Sequence, residues 1–302
     1  MGSIDIGRLK RDINFLEVAS QFGYKLNKTK STANSIHLKS EVDSIIVKKD
    51  DDAHWVYFNV HDSSDKGSIV DFIMCRQPGL TFSAALKRIE KDYLGKVLDV
   101  PQQIRDTKII PVKKDRHSVS KLFEHMTALN SSKYLQSRGI EDAVLQSRRF
   151  TGTVVQDSYQ NVVFPHIDKQ GVCGFEMRNS NFKGFAKGGI KSVWLSNRLV
   201  SDDRLMIVES GIDALSHFAL FNEKSTRYMS IGGEPSPDAW ALALKIMNKF
   251  NMQGGEIISG VDNDKGGEGL DEKLTAMTSI PIKRELPKID DWNEMLTSKM
   301  KG

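Results

Sequence analysis

Apolar residues along this chain recur in two rhythms, and the rhythm changes near Asp202. In the first stretch "DINFLEVASQFGYKL" carries Phe15, Val18, Ala19 and Phe22 at helical spacing, which predicts an amphipathic helix with those side chains in a core. "DSIIVKK" and "HWVYFNVH" read as strands separated by the turn-rich "DDDAH", since β-branched and aromatic runs bounded by turn formers favour that geometry. A second helical pattern runs from "SIVDFIMCR" through "TFSAALKRIEKDYL". Together these predict a small α+β domain over residues 1–99. Residues 100–120, with Pro101, Pro111 and the cluster "KKDRH", lack periodicity and read as a linker.

From Lys121 a helical region carries "KYLQSRGIEDAVLQSRRF", followed by short strands "NVVFPHID", "GVCGFEMRN" and "SVWLS". They predict an α+β subdomain over residues 121–200. Beyond it the pattern alternates. "RLMIVE" leads into "GIDALSHFALF", "YMSIG" into a helix from Pro237 to Phe250, "EIISGVD" into a helix around "LDEKLTAM", and "IKRELP" closes the series. Strands alternating with helices predict a mainly parallel sheet flanked by helices, over residues 201–302. Such sheets place ligands at the carboxyl ends of their strands. The fold class expected is therefore α/β and α+β, in several domains.

Composition narrows the function classes. The chain has 302 residues, 39% hydrophobic and 27% charged, with 43 basic against 39 acidic residues and a net charge of +4. That profile is globular, and the slight positive balance permits a local basic face without demanding one. No run approaches a membrane span and "MGSIDIGRLKRDINF" lacks the apolar core of a signal peptide, so a cytoplasmic protein with no membrane partner is expected. Cys75 and Cys173 are the only cysteines, which excludes a disulfide framework and a cysteine-based zinc site.

The candidate chemistry lies at the strand ends of the last segment. "SGVDNDKGGEG" places Asp262 and Asp264 two apart at a strand end with glycines after them; carboxylates so placed can share a hard cation, though the same residues also suit an ordinary turn. "MIVESGIDAL" puts Glu209 at an earlier strand end and Asp213 one helical turn later, on the same side. Gly232 and Gly233 in "IGGEP" would let backbone approach metal or phosphate closely. "LPKIDDWNEML" adds Asp290, Asp291 and Asn293 near the same edge.

"VESGIDAL", "IGG" and "VDNDKGG" together resemble the Toprim domain of bacterial-type primases, type IA and II topoisomerases and certain nucleases. The resemblance implies Mg²⁺ or Mn²⁺ held for phosphoryl transfer by Glu209, Asp262 and Asp264, with Asp213 and Asp291 as further metal residues. The sequence leaves open whether Glu209 is a ligand or a general base. Upstream, "YLQSRGI", "VVFPHIDKQGVCGFEMRN" and "NFKGFAKGG" resemble, in order, the basic subdomain that precedes Toprim in those primases. By resemblance Arg138, Arg178 and Lys183 or Lys187 hold template or nucleotide phosphates, with Gly232 and Gly233 beside them; Arg148, Arg149 and Lys191 read as solvated surface charges. "GSIVDFIMCRQPGLTFSAALKRI" resembles the end of a primase zinc ribbon whose cysteines are missing. A zinc-free relic is expected there, its histidines His37 and His61 being surface or core residues, with template DNA as its contact.

The three-part arrangement resembles the primase-like proteins of plasmids and mobile elements, which carry a domain of unknown function before Toprim. The activity this implies is synthesis of short RNA primers from ribonucleoside triphosphates on single-stranded DNA, with a replicative helicase or a relaxase as partner. A Toprim nuclease and a catalytically silent single-stranded DNA-binding accessory protein are the alternatives; few residues remain to build the large tyrosine-bearing domain of a topoisomerase.

Overall fold

A computed structural model of the chain describes residues 4–50, 53–62, 64–111, 113–232 and 235–301. The chain divides into two compact units, residues 1–113 and 114–302.

The first unit opens with α1 (Ile6–Asp12) and α2 (Phe15–Gln21), continues through β1 (Lys25–Leu26), β2 (Ile36–Lys39), β3 (Ser44–Lys49), β4 (Trp55–Asn59) and β5 (Lys66–Ser68), and ends in α3 (Ile69–Arg76), α4 (Phe82–Asp92) and α5 (Gln102–Asp106). The helix expected to run to Leu26 stops early, because Gly23 takes φ +82 and turns the chain into β1. α3 starts where Ser68 and Asp71 close a capping box. The five strands form one antiparallel sheet in sequential order. Its inner face and the helices enclose Phe15, Leu38, Ile45, Val47 and Phe72, all fully buried, each contributing about 1.5–3 kcal/mol relative to exposure. Val100, Ile104 and Ile109, inside the stretch read as a linker, are buried in this same core.

The second unit's first helix is α6 (Arg116–Glu124), capped by Asp115, so residues 116–120 of the expected linker are helix. β6 (Thr127–Ala128), α7 (Lys133–Ser137), α8 (Asp142–Gln146), β7 (Val155–Gln156), β8 (Val162–Asp168), β9 (Gly171–Asn179) and β10 (Phe182–Phe185) follow. These strands form an antiparallel sheet in the order β10-β9-β8-β7-β6. β11 (Trp194–Leu195) leaves that sheet and becomes the antiparallel edge of the next. The last elements alternate: β12 (Arg204–Val208), α9 (Gly211–Phe221), β13 (Thr226–Ser230), α10 (Pro237–Asn251), β14 (Glu256–Ser259), α11 (Lys265–Ala276), β15 (Ile282–Arg284) and α12 (Trp292–Lys301).

The second sheet has the order β11-β13-β12-β14-β15, and its last four strands run parallel. Alternate strand residues point to opposite faces, so Met206, Val208, Tyr228 and Ile258 pack on one side with α9 and α12. Leu205, Ile207, Met229 and Ile257 pack on the other side with α10 and α11. Both faces are covered, which is why these strands read as continuous apolar runs. The first core also takes in Val162 and Phe164 of β8, so the two sheets of this unit share a hydrophobic core. Among the described residues, no helix is long and apolar enough to cross a membrane, and both cysteines are free thiols.

Candidate active site

The carboxyl ends of the parallel strands bring together acids that are far apart in sequence. Glu209 directly follows β12, and Ser230 Oγ donates to its carbonyl at 3.0 Å, joining the ends of β12 and β13. Because β12 and β14 are hydrogen-bonded neighbours, the Asp262 N–H reaches Glu209 Oε1 at 3.4 Å. Asp213 lies in the first turn of α9 and is buried; Ser210 N–H and Ser210 Oγ donate to its Oδ2 at 2.9 and 2.7 Å in a capping box. A helix N-terminus favours negative charge at that position.

Asp264 caps α11, accepting from Gly267 N–H at 2.7 Å. The glycines expected as a loop are instead the first turns of this helix, since the Asp264 cap nucleates it directly. Gly267 is required by close approach: a Cβ there would lie 1.9 Å from the Asp262 carbonyl oxygen. Asp291 accepts from Glu294 N–H at 2.6 Å at the start of α12. Trp292 Nε1 donates to Gly260 O at 2.8 Å and pins that start to the end of β14. Asn293, expected at the acidic edge, is buried elsewhere: it donates to Arg138 O at 2.8 Å and to Ser216 Oγ at 2.9 Å, tying α12 to α7 and α9.

The electrostatics follow from this crowding. Burial pushes the Asp262 carboxyl up, and Asp213, Glu209, Asp291 and Asp264 push it further. Asp213 is raised by burial and by the charges of Asp291 and Glu209. Glu209 is raised by burial and by Asp264 and Asp291, against the opposing pull of the Asp262 amide and Lys183. Asp262 Oδ1 is buried and, among the described residues, has no hydrogen-bond partner. Among the described residues no three His, Cys, Asp or Glu side chains converge into a ready-made metal-binding group; Asp213, Asp264 and Asp291 spend oxygens on helix N-termini. The donor set nevertheless suits a hard divalent cation, being all carboxylate oxygen, mutually repelling, and holding one buried acceptor without a donor.

The antiparallel sheet supplies the positive side. Arg178 and Lys183 are register partners across β9 and β10, and Glu176, two residues before Arg178 on the same face, accepts from Arg178 Nη2 at 2.6 Å. Lys183 keeps exposed surface, yet surrounding protein lowers its ammonium pKa, with Arg178 and Lys191 adding to this and Glu176 and Asp213 opposing it. Its field reaches both Asp213 and Glu209. Phe164 of β8 seats the start of α9, for a Cβ on Gly211 would meet its ring at 2.2 Å. Gly232 takes φ +65, and a Cβ there would lie 2.7 Å from His166 Cε1. Ser192 N–H donates to His166 Nδ1 at 3.0 Å, so the neutral ring carries its proton on Nε2. Burial pushes His166 down to about 4, which keeps it uncharged beneath the Gly232 turn. Gly233 lies outside the described residues.

Arg138 caps the end of α7 and lines a groove of about 640 Å³ with Gln136, Asp291, Asn293, Glu294 and Thr297. Its Nε is buried and has no partner among the described residues. Lys187 stands exposed on the turn after β10, beyond the strand that carries Lys183. Arg149, read as a surface charge, is 2% exposed. It pairs with Asp202 and donates to Asn197 O at 2.7 Å and Lys224 O at 2.8 Å, fastening the segment between α8 and β7 to the segment joining β11 to β12 and to the one after α9. Nothing local distinguishes Glu176 and His166 from other strand residues; only the fold sets Glu176 against Arg178 and His166 beneath the Gly232 turn.

Comparison with known proteins assigns residues 206–296 to the family described as Toprim-like and residues 133–203 to the family described as Protein of unknown function (DUF3991). No curated protein matches the chain. Among solved structures, the chain aligns with the primase fragment of the bacteriophage T7 primase-helicase protein at 16% identity and a TM-score of 0.46, covering 84% of this chain and 90% of that one. A chain from the structure of bacteriophage T7 lagging-strand DNA polymerase interacting with primase domains aligns at 17% identity and a TM-score of 0.39, covering 58% of this chain and 86% of that one.

Proposed function

We propose that this chain, whose residues 206–296 form a Toprim-like domain, is a metal-dependent nucleotidyltransferase that synthesises short RNA primers on single-stranded DNA. The observation that carries the reading is the half-buried acidic cluster, in which Asp262 Oδ1 has no hydrogen-bond partner among the described residues, with Lys183 in its field and Arg178 as the register partner of Lys183. Glu209, Asp262 and Asp264 would hold Mg²⁺ or Mn²⁺, with Asp213 and Asp291 completing the acidic ring. When bound, such an ion lowers the pKa of an attacking oxygen and neutralises charge on the leaving group.

The chain's own residues position and balance the charges. Lys183 and Arg178 are placed to receive triphosphate oxygens as charge develops there, and a guanidinium fork suits two of them at once. Glu176 holds Arg178 in orientation until phosphate competes for it. Gly232, whose own N–H donates to Ser230 Oγ at 3.3 Å, carries no side chain to bar a close phosphate approach, while neutral His166 supports that turn without adding charge. Arg138, beside Asp291, is placed for a second phosphate.

In the N-terminal unit the outer sheet face suits a single strand. Phe58 is 39% exposed, Lys48 Nζ lies 5.5 Å from its ring centroid, and Lys39 stands on the same face. Aromatic faces stack bases regardless of sequence, and lysines track the backbone. Replication or transfer of a plasmid or other mobile element, with a helicase or relaxase as partner, is the setting this reading fits.

The test is incorporation of labelled ribonucleotides on unprimed single-stranded DNA with Mg²⁺ or Mn²⁺, comparing the native chain with Asp262→Ala plus Asp264→Ala. Short products lost in the double variant are expected. Template cleavage by the native chain alone would instead identify a nuclease, and strand binding without synthesis or cleavage by either protein would leave a silent accessory factor.

A further inference from the structure

Two turns of the N-terminal sheet share an arrangement that the nucleotidyl-transfer reading does not use. Ser40 and Asp43 bracket the β2–β3 turn; Asp62 and Asp65 bracket the β4–β5 turn. Each pair is separated by two residues, with residues 44–61 between the pairs. Cysteines at these four positions would have the C-x₂-C spacing of a two-turn zinc site, whose intervening stretch is about 15–20 residues. The sheet sets the turns side by side: Val60 N–H donates to Ser44 O at 2.8 Å and Asn59 N–H to Asp65 O at 2.8 Å. All four side chains line one cavity of about 1060 Å³.

What occupies the space between the turns is the Arg76 guanidinium. Arg76 Nη2 donates to Asp43 Oδ2 at 3.0 Å and Nη1 to Asp65 Oδ1 at 2.8 Å. Asn59 Nδ2 bridges the same two carboxylates at 2.9 Å to each. Tyr24 and Tyr57 hydroxyls donate to Asp43 and Asp65 at 2.5 Å, and Ser40 Oγ donates to Asp43 at 2.9 Å. The guanidinium carbon lies 4.7 Å from the Phe72 ring centroid. Both carboxylates and the cation are largely withdrawn from solvent, at 17%, 6% and 14% side-chain exposure.

We infer that the Arg76 guanidinium, clamped between Asp43 and Asp65, stands where a structural zinc ion would join these two turns, and replaces it. A planar cation with a fixed fork of donors can neutralise two carboxylates and hold both turns, as a divalent ion holds thiolates. The site is therefore metal-independent in this chain. Of the four positions Asp43 and Asp65 meet the guanidinium, whereas Ser40 and Asp62 bond within their own turns: Ser40 Oγ donates to Asp43 Oδ1 at 2.9 Å, and Asp62 Oδ1 accepts from Ser64 N–H at 2.9 Å.

The inference is tested on the full chain. Elemental analysis of the native protein is expected to show no stoichiometric zinc, and a zinc-selective chelator is expected to leave the N-terminal unit's transition unchanged. Arg76→Met is expected to lower the N-terminal unit's transition by about 10 °C or more, because a removed partner strands two buried carboxylates. Arg76→Lys is expected to restore it only in part, since donors radiating from one nitrogen cannot reproduce the planar spread by which Nε, Nη1 and Nη2 reach Tyr24, Asp65 and Asp43 together. The decisive variant combines Ser40→Cys, Asp43→Cys, Asp62→Cys and Asp65→Cys with Arg76→Ala. It should bind one equivalent of Co²⁺ with thiolate-to-cobalt charge-transfer absorption and fold on doing so, as metal binding and folding are coupled in such sites. Stoichiometric zinc in the native chain, or a five-fold variant that takes up no cobalt whether folded or unfolded at the outset, would overturn the inference.

Discussion

Asp262→Asn separates the cost of the acidic cluster from its use. In the native chain Asp262 is half-buried, its Oδ1 is out of solvent with no donor among the described residues, and burial and four other acids push its pKa up. A buried acceptor without a partner costs about 1–3 kcal/mol, and more when charged. Asparagine removes the charge and brings an N–H₂ donor to a neighbourhood of carboxylates. The metal-free variant should therefore be more stable than the native chain by about 1–3 kcal/mol at neutral pH. For a unit of this size that is a rise of roughly 2–10 °C in Tm.

The sign with pH follows from the raised pKa. A carboxyl whose folded pKa lies above its unfolded value contributes fully below the unfolded pKa and loses that contribution as pH rises toward the folded one. The native chain's deficit relative to Asp262→Asn should therefore be small at pH 4 and grow through neutrality. Divalent metal should reverse the ranking, because only the native chain gains a counter-ion. Thermal unfolding in chelator and in Mn²⁺, at several pH values, measures all of this. Asp262→Asn melting below the native chain in chelator, or Mn²⁺ stabilising both proteins equally, would refute the reasoning.

Gly267→Ala should reduce nucleotide incorporation by at least about tenfold, since its Cβ would collide with the Asp262 carbonyl and move that carboxylate by more than the site tolerates; steady-state rates with saturating Mn²⁺ would show it. Arg149→Met should cost about 3–5 kcal/mol by leaving Asp202 charged and buried, readable as a lower urea midpoint. Asn293→Asp, although it would look like restoring an acid to the motif, should destabilise the protein and leave metal affinity unchanged, because the new charge would face the Arg138 carbonyl rather than the cluster; calorimetry with Mn²⁺ together with a melting curve distinguishes the two effects. Phe58→Ala should weaken single-stranded DNA binding by about 1–3 kcal/mol if one base stacks there, measured by fluorescence anisotropy at fixed salt.

Local pattern was enough for the elements that carry the acids. β12 and α9 were legible because an apolar run ends in Glu209 and the next residues, Ser210 to Asp213, spell a helix start. β14 followed by Asp262 and Asp264 was legible for the same reason, although the cap at Asp264 was mistaken for a loop because three glycines follow it closely. β2, β5 and β10 were not legible as strands: they are short, and two of them contain glycine and lysine that only pairing with a neighbour holds extended. Residues 100–120 looked unstructured because the burial of Ile104, Ile109 and Val119 depends on cores built elsewhere in the chain.

Sequence by itself determined the alternating strands and helices, the acids at their ends, and the lack of cysteine ligands, since period, caps and composition are written within a few residues of each other. Tertiary structure alone decided which charges are in use. It buried Arg149 against Asp202, turned Asn293 into the core, paired Glu176 with Arg178, brought Lys183 into the field of Glu209, and enclosed Arg76 between two aspartates. The physical reason is that a charge's solvation and partners are set by what lies within a few ångströms in space, and strand register brings those groups from tens of residues away.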